Sequence, residues 1–109
     1  MTDKYHNKWI GEVSINAPDG LGDFAESVVK AKMEEAQVIV DKQRDYGPGN
    51  INAFGDYGVL VRLNDKVERL KTLYASGDMP QHESVDDSWL DGSNYGTIAR
   101  MYRRGDWPK

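Results

Sequence analysis

Apolar positions recur at helical spacing from Phe24 onward, and Phe24, Val28, Ala31, Val38 and Ile39 share one face of a 3.6-residue repeat. A first long helix is therefore predicted over 23–45, with Asp23 and Glu26 as the residues of an amino-terminal capping box. The stretch Asp45-Tyr46-Gly47-Pro48-Gly49-Asn50 breaks it, because proline disfavours a helical residue before it and the glycines permit positive φ. A long turn is expected to follow. Beyond Gly58, Val59, Leu63, Val67, Leu70 and Tyr74 trace a second amphipathic helix over 58–74, and residues 75–82 read as a loop. A third helix over 84–104 should stop at a left-handed cap on Gly105, with Trp107 placed to fold back on the core. Ahead of all this, Val13 and Ile15 alternate with polar neighbours, and Pro18, Gly20 and Gly22 block regular structure. Residues 1–22 are thus expected as an extended arm, anchored by Trp9 and Ile10, and 23–109 as a single α-helical domain. The predicted class is all-α, a three-helix bundle expected to be a homo-oligomer because 109 residues give it a thin core.

The third helix breaks the usual pattern. Glu83, Asp87, Asp91 and Asn94 fall on the side that also carries Leu90, Ile98 and Met101, although a solvated charge face should lie opposite the apolar stripe. Carboxylates on an inward face need a cation, a basic partner or a ligand. Ser84 with Asp87 also fits a capping box, but capping does not reach Asp91 or Asn94, one and two turns further in. Glu35 and Lys42 sit in the apolar arc of the first helix, where snorkelling or pairing is the plain explanation.

Net charge of −4 and a pI near 5.1 argue against a general nucleic-acid binder, although basic residues gathered locally could still hold a small anion. With no cysteine, thiolate metal sites, disulfides and cysteine nucleophiles are all excluded, which fits a reducing cytoplasm. No run approaches the roughly 18 apolar residues of a membrane span, and the first residues lack a signal-peptide core, so a cytoplasmic protein without membrane association is expected. His6 and His82 belong to no catalytic motif and read as surface residues. Trp89 lies away from the acids and is expected to pack on another helix or subunit.

On the second helix, Arg62, Asp65 and Arg69 are spaced for intrahelical ion pairs. The same guanidiniums suit phosphate oxygens, with Lys42 and Lys66 adding charge and Tyr46 placed to stack on a base. Carboxylates a turn apart at Glu83, Asp87 and Asp91 have the spacing to hold magnesium through oxygen.

The ordered set Lys42-x-x-Asp45-Tyr46-Gly47, Phe54-Gly55, Arg62-Leu63-x-Asp65-Lys66-x-x-Arg69-Leu70, then Glu83-Ser84-x-x-Asp87 with Asp91-x-x-Asn94-Tyr95, resembles the nucleotide modification associated domain type 1 family of small α-helical phage and bacterial proteins. The resemblance spans about 35–100 and departs at Gly92, Ser93 and Gly96, where larger aliphatic residues or alanine are usual. More distantly, the acidic helices are similar to those of the MazG-like nucleoside triphosphate pyrophosphohydrolases. These resemblances imply a phage-type protein that binds a nucleotide through Lys42, Tyr46, Arg62, Lys66, Arg69, Asn94 and Tyr95. They further imply catalytic carboxylates Asp65, Glu83 and Asp87, and Mg2+ on Glu83, Asp87 and Asp91, for cleavage between the α and β phosphates. The alternatives are a non-catalytic sponge for a nucleotide defence signal, and an accessory protein of a nucleotide-modification enzyme.

Overall fold

A computed structural model describes residue 8, residues 10–77 and residues 84–109. The protein is all-helical over these residues, with three helices and no strand: α1 (Gly22–Tyr46), α2 (Gly49–Ser76) and α3 (Val85–Arg104). The described part of the arm, residue 8 and residues 10–21, contains no regular element beyond a turn at Asp19–Gly20, while Trp9 and His6 lie outside the described residues. No helix among the described residues is long and apolar enough to cross a membrane.

α1 starts without the capping box expected of Asp23 and Glu26. Its N-cap is Leu21, which offers no side-chain acceptor, and the entry is held instead by the Leu21 amide donating to Pro18 O at 3.0 Å. It ends at Gly47, where φ of 67° is open to glycine and the amide closes on Gln43 O at 2.8 Å. The long turn expected after Tyr46 is only two residues. Pro48 at the N-cap has its φ fixed near a helical value, and α2 starts at once, carrying Ile51 into the core. The interruption lies at Gly55 instead, where φ of 67° and ψ of −158° kink the helix. A Cβ there would meet the Tyr102 ring at 3.1–3.2 Å, so both dihedral and space select glycine.

α2 and α3 form an antiparallel pair. Arg103 meets Asp56 at 3.1 Å, Lys66 meets Asp91 at 3.1 Å and Trp89 meets Tyr74 at 3.0 Å, so the numbering rises along one helix as it falls along the other. Ser84 caps α3 and Gly105 ends it in the left-handed region at φ 80°, as the spacing predicts. Trp107 folds back, 8% exposed, and donates its indole N–H to Pro48 O at 3.3 Å. It joins Ile51 and Val59 in the core, with Tyr95, Ile98 and Tyr102 packed around them. Leu70 is buried as the helical spacing predicts, but Val67 and Tyr74 of the same predicted stripe are 43% and 63% exposed. They lie at its edge and turn outward. α1 buries no residue completely; Phe24 is 66% exposed, because only the carboxy-terminal half of α1 crosses α3.

Candidate functional site

A cavity of about 200 Å3 opens where the end of α1, the start of α2 and the middle of α3 meet. α1 supplies Ile39, Lys42, Gln43 and Tyr46, and α3 supplies Asp91, Asn94, Tyr95 and Ile98. Both sets follow the i, i+3, i+4, i+7 rule, so each is one helical face turned to the same space. The α1–α2 turn adds Gly47, α2 adds Asn50 and Ile51 from its first turn and Arg62 further on, and Trp107 completes the lining. Five of the residues expected to contact a ligand, Lys42, Tyr46, Arg62, Asn94 and Tyr95, thus line one cavity. The other two do not line it: Lys66 reaches Asp91 beside it, and Arg69 is half-buried further along α2.

Asp91 is the junction of the three helices. Its Oδ1 receives Lys42 Nζ of α1 at 3.0 Å and its Oδ2 receives Lys66 Nζ of α2 at 3.1 Å. Burial pushes the Asp91 carboxyl up, but hydrogen bonds from Lys42 and Lys66 and the charges of the same two ammonium groups outweigh it and hold the group below the ordinary aspartate range. The inward carboxylate therefore has basic partners, and the two charges in the arc of α1 are each matched by a group of opposite sign. Lys42 is spent on Asp91, while Glu35 accepts the Ser93 hydroxyl proton and lies 3.5 Å from Lys32.

Asn94 is 6% exposed and donates Nδ2 to the backbone oxygen of Glu35 at 3.1 Å, fastening α3 to the middle of α1. Its Oδ1 is buried with no hydrogen-bond donor among the described residues. Leaving such an oxygen unsatisfied costs about 1–3 kcal/mol. Arg62 is half-buried at the cavity wall, and among the described residues it makes no ion pair or hydrogen bond. The expected pairing of Arg62 with Asp65 is not formed; Asp65 is exposed.

Asp87 caps its own helix. The Asp87 amide donates to Ser84 Oγ at 3.0 Å and the Ser84 amide donates back to Asp87 Oδ2 at 3.4 Å, a complete capping box. Glu83 and His82 lie outside the described residues. Among the described residues no group of three acidic or imidazole side chains is placed to hold a metal ion. Of the implied magnesium donors that are described, Asp91 gives each oxygen to an ammonium group and Asp87 serves the cap.

Sequence reasoning passed over Ile39, Gln43, Asn50, Ile51, Ile98 and Trp107 as cavity residues. Ile39 and Gln43 carry a signal, standing seven and three residues before Tyr46 on its own face. Asn50 and Ile51 carried none, because the Gly-Pro-Gly sequence reads as a break in structure. Gly92, where the family resemblance fails, is approached by Leu63, whose Cδ1 would lie 3.6 Å from an added Cβ, whereas Gly96 faces open space. No family model, no curated protein and no solved structure matches this chain.

Proposed function

We propose that the chain binds a nucleotide or nucleotide-derived small molecule in the cleft between α1 and α3, and holds it without turning it over. One observation carries the reading: Lys42, Tyr46, Arg62, Asn94 and Tyr95, singled out from the sequence as nucleotide contacts, gather around one cavity where, among the described residues, Arg62 has no carboxylate and Asn94 Oδ1 has no donor. A planar guanidinium at a cavity wall suits a phosphate, with Lys42 beside it. The aromatic rings of Tyr46, Tyr95 and Trp107 supply faces for a base, and Asn94 Oδ1 suits an exocyclic amine. At about 200 Å3 the enclosed space is smaller than a typical drug-sized site, so it fits one ring system with the phosphates in the open mouth.

Sequestration is favoured over hydrolysis because Asp87 and Asp91, the two described carboxylates of the three implied for Mg2+, already serve other groups. Magnesium-dependent cleavage would require Asp91 to release both lysines. The resemblance to the nucleotide modification associated domain type 1 family supports the ligand class and leaves turnover open. A thermal-shift series with nucleoside mono-, di- and triphosphates and cyclic dinucleotides, with magnesium and with chelator, followed by chromatography of each hit, tests the reading. Stabilisation that persists in chelator, with the nucleotide recovered intact, is expected. Magnesium-dependent product formation would return the protein to the hydrolases, and absence of any shift would remove the nucleotide.

A further inference from the structure

The core of this protein is small, and a second apolar surface lies outside it. Among the described residues only Ile51, Val59, Leu70 and Trp107 are buried apolar side chains, whereas Tyr57, Leu60, Val61, Val67 and Tyr74 on α2 are 74, 55, 52, 43 and 63% exposed. These outward residues are not scattered. Tyr57, Leu60, Asn64, Val67, Lys71 and Tyr74 follow one another at alternating steps of three and four residues, the spacing of a seam that packs on another helix. All six lie on the uninterrupted part of α2 beyond the Gly55 kink. Arg62 and Lys66, which serve the cleft, stand on the opposite side of the helix. At its carboxy-terminal end the seam continues onto α3, where Trp89, 56% exposed, donates to Tyr74 Oη at 3.0 Å.

We propose that this face of α2 is a self-association surface, on which α2 of a second copy packs antiparallel about a two-fold axis through Asn64. The charges select the direction. A parallel pair would set Lys71 against Lys71 of the second copy, whereas the antiparallel pair sets it against Tyr57, so the ammonium meets a ring face. The same register places Val61 on Val67 and Asn64 on its own counterpart, where each amide both donates and accepts. Asn64, at the centre of the seam, is the polar position that fixes register. An isologous pairing of this kind is closed, so assembly stops at two. At their exposed fractions, the aromatic and aliphatic residues of the seam with Trp89 offer on the order of 650 Å2, and the stems of Glu68 and Lys71 bring the face close to the roughly 800 Å2 per partner of a standard interface. A patch of that size is unusual on a monomer. The groove beside the seam, lined by Tyr57, Leu60 and Leu63 of α2 and by Gly96 of α3, leaves about 300 Å3 for the knobs of the second copy.

The test combines mass and cross-linking on the full chain. Sedimentation equilibrium at about 50 µM should give twice 12.3 kDa, and Val67→Glu should return the mass to 12.3 kDa, whereas Met33→Glu, on an exposed site of α1, should not change it. Because the chain has no cysteine, single introduced thiols report on geometry. Under mild oxidation Asn64→Cys should form a disulfide-linked dimer, while Tyr57→Cys, far from its counterpart in the antiparallel pair, should stay unlinked. A monomeric mass for the unmodified chain at 50 µM would overturn the proposal. So would a dimer that survives Val67→Glu with Asn64→Cys unlinked, and efficient linkage of Tyr57→Cys would overturn the antiparallel register.

Discussion

Lys66 Nζ lies 3.1 Å from Asp91 Oδ2, and this pair joins α2 to α3 at the point where Lys42 brings in α1 through the other oxygen. An acidic group on an inward helical face is thereby matched by one cation from each neighbouring helix. Asp91→Asn should cost about 1–3 kcal/mol, below the figure for a fully buried pair because Lys42 is half exposed. Urea unfolding of the two proteins measures it. A difference under about 0.5 kcal/mol would show that the junction is held by other contacts.

The same group sets a pH dependence. Asp91 has its folded pKa lowered, so its contribution is fully present above the ordinary aspartate value of about 3.9 and is lost as pH falls through its own lower value. The stability gap between the unmodified chain and Asp91→Asn should therefore be flat from about pH 5 to 7 and shrink below about pH 4. A gap that instead closes on the alkaline side of neutrality would assign the effect to another group.

The two acids of α3 should separate cleanly. Ser84→Ala removes the N-cap acceptor and should cost about 1 kcal/mol, while Asp87→Asn keeps an acceptor for the Ser84 amide and should cost less than about half of that. Nucleotide binding should survive both, measured by titration calorimetry in chelator. Loss of magnesium-dependent binding in Asp87→Asn at unchanged stability, in the same titration run with Mg2+ in place of chelator, would restore the metal reading.

Gly55→Ala should destabilise by about 2 kcal/mol or more, since alanine must adopt φ of 67° against the Tyr102 ring. The kink orients the first turns of α2, which carry Asn50 and Ile51 to the cleft, so ligand affinity should fall as well. Thermal melts with and without nucleotide report both effects. Gly96→Ala, facing open space in the middle of α3, should be neutral or slightly stabilising by comparison.

How much of this was readable beforehand differs from helix to helix. α3 was legible almost to the residue, because Ser84, Asp87 and Gly105 are local signals that act within one turn. α1 was placed well, yet its expected capping box did not form, since the chain enters through Leu21 and Pro18 instead of Asp23. The first two turns of α2 were missed, because Pro48 and Gly49 look like breakers in sequence and prove to be a helix start. For the cleft, the misplaced polarity of Asp91 and Asn94 points to two residues that line the cavity, but their partners cannot be read from spacing. Lys42 and Lys66 are 49 and 25 residues from Asp91, and only the packing of three helices brings them to it. Trp107 was read as folding back on the core, yet its place at the cavity depends on Pro48 O, an acceptor exposed by the turn that sequence treated as irregular.

Arg62→Ala bears on the ligand more than on the fold. With no partner among the described residues to lose, it should leave the melting temperature nearly unchanged and weaken nucleotide binding at least tenfold, equivalent to about 1.4 kcal/mol or more. Lys30→Ala, exposed on the outside of α1 and paired only with Glu26, should leave binding intact. Equal losses in both variants would reduce the effect to overall charge.

The most direct measurement of the central claim is a 15N–1H correlation spectrum followed during nucleotide titration in chelator. The Trp107 indole N–H and the Asn94 side-chain amide lie in the cavity wall, whereas the Trp89 indole is bonded to Tyr74 on the outer side. Binding in the cleft predicts that the Trp107 and Asn94 signals move with a common saturating dependence on nucleotide while the Trp89 signal stays in place. A saturating shift of Trp89 with Trp107 and Asn94 unmoved, or no saturating shift at millimolar nucleotide, would contradict it.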